Sequence, residues 1–229
     1  MLNNARNNVQ ALARISKALG NLNSDVVFIG GTVVGLYIDN PSAEDIRVTM
    51  DVDVVFQVTT AMELEEIRES LNERGFFQSP EDSIICRFHY AEDVIDILST
   101  EPVSWAPSNR WFQPGLANSI DHEVEGATIK LLPLPYFLAT KLDAFFDRGI
   151  NDPMLSTDLE DIVYVLNHVS DVVDQIRDSD QRVQDFLKES FYRIFEERRI
   201  VEAIYGHLLP ASADKQFEQI RQKIRELID

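Results

Sequence analysis

The eight residues Thr49-Met50-Asp51-Val52-Asp53-Val54-Val55-Phe56 decide how the chain is read. Successive side chains of a strand point to opposite faces, so Asp51 and Asp53 share one side, roughly 6.5–7 Å apart. Val52, Val54 and Phe56 take the other side. Two ionised carboxylates at the start of an apolar run repel each other and lose hydration unless a cation compensates. Mg2+ does so well, because it takes hard oxygen ligands and lets substrate phosphates complete its octahedron. The alternative is an exposed strand end at a sheet edge. The alternation predicts a strand over 48–58.

Upstream, Val26-Val27-Phe28-Ile29 is a compact apolar run and predicts a buried strand. Gly30-Gly31-Thr32 breaks it, and residues 33–38 read as the start of a helix. Glycines let backbone approach a phosphate closely, and a helix start offers free N–H groups; Thr32 adds a hydroxyl. A plain tight turn is the competing reading. Asn40-Pro41-Ser42 then reads as a turn or loop before the Asp-x-Asp strand.

Downstream, Val94-Ile95-Asp96-Ile97-Leu98 places one acid in an otherwise apolar strand. If this strand lies beside the first, Asp96 joins Asp51 and Asp53 in one acidic cluster able to hold one or two metals. Such a cluster would position a triphosphate and activate an attacking hydroxyl, and Asp96 could instead be the base that takes its proton.

Periodicity predicts helices over 5–19 and 61–74 and strands over 83–90, 94–98 and 127–132, with an irregular stretch at 101–120 that carries Trp105 and Trp111. From residue 134 the pattern turns helical, over 136–148, 157–168, 171–177, 180–199 and 213–228. An α+β class follows: a mixed sheet with helices over residues 1–133, then a helical domain over 134–229. On its first helix, Lys141, Ala144 and Arg148 share a face. Two cations flanking a small residue suit a triphosphate. A solvated face paired to Asp143 and Asp147 is the alternative. Asp158 and Asp161 lie one turn apart, where first-turn acids also favour the helix dipole. The run from Lys215 is amphipathic through Phe217, Ile220, Ile224 and Leu227, and would either dock at home or form a partner surface.

The 229 residues hold 21 Lys plus Arg against 39 Asp plus Glu, a formal net charge of −18 at pH 7. That balance argues against a passive nucleic-acid binder or a polybasic membrane-surface protein. Cys86 is the single cysteine, so an intrachain disulfide or a Cys-based zinc cluster is excluded and a reducing compartment is expected. The four histidines are scattered, which argues against a zinc site. No apolar stretch reaches the ~18 residues of a membrane span, and the amino terminus lacks a signal-peptide run, so a cytoplasmic protein is expected.

In this order, Gly30-Gly31-Thr32, Asp51-Val52-Asp53 and Asp96 resemble the nucleotidyltransferase superfamily with its polymerase-β-like core. Lys141-x-x-Ala144-x-x-x-Arg148 and Asp158-x-x-Asp161 narrow the resemblance to AbiEii/AbiGii-type toxin nucleotidyltransferases of type IV toxin–antitoxin and phage-defence systems. It covers residues 24–167. It implies that Gly31 and Thr32, with Gly30, hold nucleotide phosphate; that Asp51 and Asp53 bind Mg2+, with Asp96 as third ligand or base; and that Lys141, with Arg148, contacts the triphosphate. Asp158 and Asp161 match the last motif. The implied reaction transfers a nucleotide from a nucleoside triphosphate to an acceptor such as tRNA, and the implied partner is an antitoxin. A tRNA acceptor would need Arg47, Arg110, Lys130, Lys141 and Arg148 gathered into a local patch. Two other readings remain: a nucleotidyltransferase acting on an antibiotic or metabolite, and a non-catalytic module that senses a nucleotide or engages a partner.

Overall fold

The computed structural model describes residues 3–228. The chain divides into two compact units, Met1–Gly35 with Glu44–Pro133, and Leu36–Ala43 with Leu134–Asp229.

The first unit is built on a six-stranded sheet. Its strands are β1 (Val26–Ile29), β2 (Val52–Phe56), β3 (Arg87–Tyr90), β4 (Asp93–Ser99), β5 (Ile120–Val124) and β6 (Ala127–Leu131), in the order β3-β4-β2-β1-β6-β5. β2 runs antiparallel to β1 and parallel to β4, β1 runs parallel to β6, and β3–β4 and β5–β6 are antiparallel hairpins. The sheet is therefore mixed, as expected. Helix α1 (Asn3–Leu19) lays Leu12, Ile15 and Leu19 against it, meeting β2, β4, β5 and β6. Arg14 on α1 clamps Asp93 of β4 through two hydrogen bonds of 2.7 and 2.6 Å. Helix α2 (Ala61–Glu73) starts with a capping box, in which the Thr60 hydroxyl accepts from Glu63 N and the Glu63 carboxylate accepts from Thr60 N.

Local differences from the sequence reading have physical causes. The strand expected over 48–58 is confined to Val52–Phe56, because β1 supplies only four residues and its last pair is Ile29 with Asp53. The helix expected over 33–38 is instead a 3-10 helix, Gly31–Leu36. Gly35 and the β-branched Thr32, Val33 and Val34 are poor α-formers, and six residues are too few to recover the cost of nucleation. The strand expected over 83–90 begins at Arg87. The irregular stretch 101–120 contains helix α3 (Phe112–Ala117), which tolerates Pro114 in its first turn. Strand β5 was not expected, since Asp121, His122 and Glu123 give no apolar alternation. It exists because Glu125 and Gly126 both take positive φ, 46° and 76°, and close a two-residue hairpin onto β6.

The second unit is helical: α4 (Leu134–Ala144), α5 (Thr157–His168), α6 (Val172–Arg177), α7 (Gln181–Glu196), α8 (Arg198–Gly206) and α9 (Ala213–Ile228). α4 is apolar on nearly every side and is buried from Leu134 to Leu142, packed by α5, α6 and α7. It runs on into a π-turn, Phe145–Gly149. The single helix expected over 180–199 is broken at Glu197 into α7 and α8. The buried stripe of α7 ends at Ile194, and Ile200, Ala203 and Ile204 fall off its phase, so a straight helix would turn them away from the core. α9 docks at home, burying Phe217, Ile220, Ile224 and Leu227 among α5, α6, α7 and α8.

The segment Leu36–Ala43 belongs to this second unit. Tyr37 packs on Phe137 with ring centroids 4.8 Å apart. Asn40 Nδ2 lies 3.1 Å from His168 Nδ1, and Asp39 accepts both the backbone N–H and the hydroxyl of Ser170.

Candidate active site

The first unit gathers the Gly-Gly-Thr turn and the three acids where β1 ends and β2 begins, beside the middle of β4. Ile29 pairs with Asp53 across β1–β2, and Asp53 pairs with Asp96 across β2–β4. Gly30 follows directly with φ +77°. A Cβ at Gly30 would lie 1.8 Å from Asp53 Oδ2, and one at Gly31 would lie 2.2 Å from an Arg47 guanidinium nitrogen. Gly30 is needed for its positive φ, with the Asp53 carboxylate against its backbone, while at Gly31 the Arg47 guanidinium lies directly against the backbone. Thr32 is buried, and its hydroxyl donates to the Asp51 carbonyl at 2.5 Å. It therefore ties the turn to the Asp-x-Asp segment just before the β2 ladder begins.

Arg87 joins two of the acids. It opens β3 and stands opposite Asp96 in the β3–β4 hairpin. Its Nε and Nη2 donate to Asp96 Oδ1 and Oδ2, both at 2.8 Å, and Nη2 also donates to Asp51 Oδ2 at 2.6 Å. Asp51, Asp96 and Arg87 are 31%, 13% and 22% exposed, so the cluster is partly wet. Hydrogen bonding to Asp96 and the charges of Asp96 and Asp51 raise the Arg87 pKa. The sequence reading did not single out Arg87. A cation nine residues before Asp96, across a tight hairpin, is the signal that could have found it.

Among the described residues no group of three His, Cys, Asp or Glu side chains is drawn together as a ready metal cage. The donor chemistry nevertheless fits a hard divalent cation. Asp51 and Asp96 already converge on one positive group, and Asp53 is fixed beside them by its close approach to Gly30. As they stand, Asp96 has both oxygens on Arg87 and Asp51 has one.

The other four site candidates, Lys141, Arg148, Asp158 and Asp161, meet within the second unit. Ser156 caps α5 by accepting from Leu159 N at 3.3 Å, which orients the first turn. Lys141 Nζ lies 3.2 Å from Asp158 Oδ1 and 2.7 Å from Asp161 Oδ2. Arg148 reaches Asp158 Oδ2 at 2.9 Å from the π-turn. The side chains of Lys141, Asp158 and Asp161 are 10%, 4% and 3% exposed, whereas Arg148 is 68% exposed. Lys141 thus joins a buried ion cluster with the two α5 acids, since α4 is surrounded and its one cation needs buried partners, while Arg148 stays on a solvated face.

Lys130 donates to the Ser24 carbonyl at 2.8 Å, and Arg110 lies 5.6 Å from the Trp111 ring centre. Lys130 lines a cavity of about 580 Å3 with Asp25, Val26, Phe56, Glu66 and Leu116. Val26 pairs with Phe56, at the opposite end of β1 and β2 from Ile29 and Asp53.

The mixed sheet carries the Gly-Gly-Thr turn, the Asp-x-Asp and a third Asp in register with it, and the family match makes the chain a nucleotidyltransferase. Within that class the chain belongs to the family described as nucleotidyl transferase AbiEii toxin, type IV TA system, whose model matches residues 10–227. No curated protein matches the chain. Among solved structures, it is similar to an antigenic nucleotidyltransferase-like protein from Paracoccidioides brasiliensis. The identity is 16%, the TM-score 0.49, and 89% of this chain and 95% of that one are covered. Among the described residues no helix is long and apolar enough to cross a membrane.

Proposed function

We propose that the protein transfers a nucleoside monophosphate from a nucleoside triphosphate to an acceptor hydroxyl, as the toxin of a type IV toxin–antitoxin or phage-defence pair in the cytoplasm. The acceptor oxygen attacks the α-phosphorus, the bond to the β-phosphate breaks, and pyrophosphate leaves. Asp51 and Asp53 hold Mg2+, which when bound would offset the triphosphate's charge and lower the pKa of the attacking hydroxyl. Asp96 takes the hydroxyl proton or completes the metal's ligand set. Gly30 and Gly31 bring backbone to the phosphates, Thr32 holds the turn against Asp51, and Arg47 adds a cation over Gly31. Lys141 and Arg148 steady the triphosphate, with Asp158 and Asp161 fixing Lys141.

The observation that carries this reading is the register Ile29–Asp53–Asp96, which brings the Gly-Gly turn and three carboxylates together where β1 ends and β2 begins. The acceptor is tRNA, and the partner is an antitoxin encoded beside the toxin. Purified protein incubated with labelled nucleoside triphosphates, Mg2+ and total tRNA should label the tRNA, and Asp51→Ala should not. Absence of both label transfer and nucleotide binding in the wild type would remove the proposal. The net charge of −18 favours one second reading, a cationic small molecule as acceptor. Resistance on expression, in place of growth arrest, would support it.

A further inference from the structure

Arg87 lies outside every motif of the Gly-Gly, Asp-x-Asp and helical set, yet it sits among the acids of the site. Its planar guanidinium grips Asp96 with two parallel hydrogen bonds and spares one for Asp51. Two carboxylates brought together in a partly buried place repel each other, and a counter-charge between them offsets that repulsion. The counter-charge here is covalently part of the chain and is fixed by the β3–β4 pairing that puts Arg87 opposite Asp96. The grip is unequal: the two-bond hold on Asp96 is the stronger, and the single bond to Asp51 is the one that can be exchanged.

We propose that Arg87 is a resident counter-ion of the site, holding Asp51 and Asp96 in the metal-free protein and competing with an incoming divalent cation for Asp51. The inference rests on the reading that Asp51 and Asp53 take the metal. On cation binding, Arg87 releases Asp51 and keeps Asp96. Arg87 is thus a positioning residue: it fixes the Asp96 carboxylate and sets how much cation the site needs before it fills.

The test is Mn2+ titration of the full chain, followed by the paramagnetic signal of the free ion, for wild type, Arg87→Gln and Arg87→Lys. Removing the charge-assisted bonds should tighten Mn2+ binding about ten-fold in Arg87→Gln. Lys keeps the charge without the fork, so Arg87→Lys should fall between, about three-fold tighter. In EDTA the melting temperature of Arg87→Gln should drop by a few degrees, and saturating Mg2+ should return most of that loss. Should Arg87→Gln fail to fold, the Lys variant decides by the same titration. Mn2+ binding no tighter than wild type in a folded variant would overturn the counter-ion role. Asp53→Asn separates this from failure of the metal assignment. If it leaves Mn2+ binding unchanged while Arg87→Gln tightens it, the counter-ion stands and Asp53 is not a ligand. If neither wild type nor Arg87→Gln binds Mn2+, both ideas fall.

Discussion

Two of the clusters in which acids meet cations differ in how much water reaches them. In the first unit, Asp51, Asp96 and Arg87 are partly open and lie where β2 begins beside mid-β4. In the second, Lys141, Asp158 and Asp161 are buried inside a helical core, and only Arg148 reaches solvent. The same chemical pairing has different consequences in the two places. A wet carboxylate can exchange its partner for a metal or a substrate at modest cost. A buried one cannot lose its partner without stranding a charge. Loss of function by substitution therefore means different things in the two units, and stability must be measured beside activity.

The largest effect is expected in the dry cluster. Lys141→Met should cost about 3–5 kcal/mol in urea unfolding, because two buried acids lose their shared cation. Adding Asp158→Leu and Asp161→Leu should return most of that stability, since an apolar replacement of a whole buried ion group is often neutral. If transfer activity stays absent in the restored protein, Lys141 also meets substrate; if it returns, the cluster is purely structural. A Lys141→Met protein as stable as wild type would break the contrast.

Next comes the wet cluster. Asp53→Asn should reduce nucleotide transfer by roughly a thousand-fold, the loss of several kcal/mol of charge stabilisation, while unfolding free energy moves by less than about 1 kcal/mol. Comparable losses in stability and activity would place this acid with the dry cluster. Gly30→Ala should follow, at about 1–3 kcal/mol, because Gly30 has φ +77° and the new methyl would enter the space of the Asp53 carboxylate. Its transfer rate should fall with it, as Asp53 is pushed aside. Arg148→Ala should cost about 1–2 kcal/mol, less than Lys141→Met, because Arg148 is mostly in water and the buried Asp158 keeps Lys141 when it is lost.

The smallest effect concerns Cys86, beside Arg87. Burial, with the nearby charge of Asp96, pushes its thiol up to about 11. At pH 8 a disulfide reagent should react only after unfolding. The unfolded chain ionises this thiol near pH 9.0 while the folded chain keeps its proton, so its contribution to stability is complete below pH 9 and is lost as pH rises towards 11. Urea midpoints across that range check the sign.

What could be read beforehand follows the range of the forces. Gly30, Gly31, Asp51, Asp53 and Asp96 were legible because each breaks an apolar pattern over a few residues. That Asp53 and Asp96 face each other was a condition on strand order, met because β4 pairs with β2. Arg87 was not legible: a lone arginine in a strand is ordinary until the hairpin register places it opposite Asp96. Lys141 was seen as a cation on a helix face, but its burial depends on α4 being surrounded by α5, α6 and α7. β5 was hidden because its edge position needs no apolar alternation, and α8 because its stripe restarts out of phase with α7.

The segment Leu36–Ala43 has a consequence for synthesis on the ribosome. Asp39 waits for Ser170, 131 residues further along the chain. At about 5–20 residues per second this partner emerges roughly 7–26 s later. The strand β2 and the whole sheet that follows are made in the interval. A nascent chain must therefore carry an early strap of the helical unit, unpaired, through the birth of the sheet unit. The helical unit reaches its full set of contacts only near the end of translation.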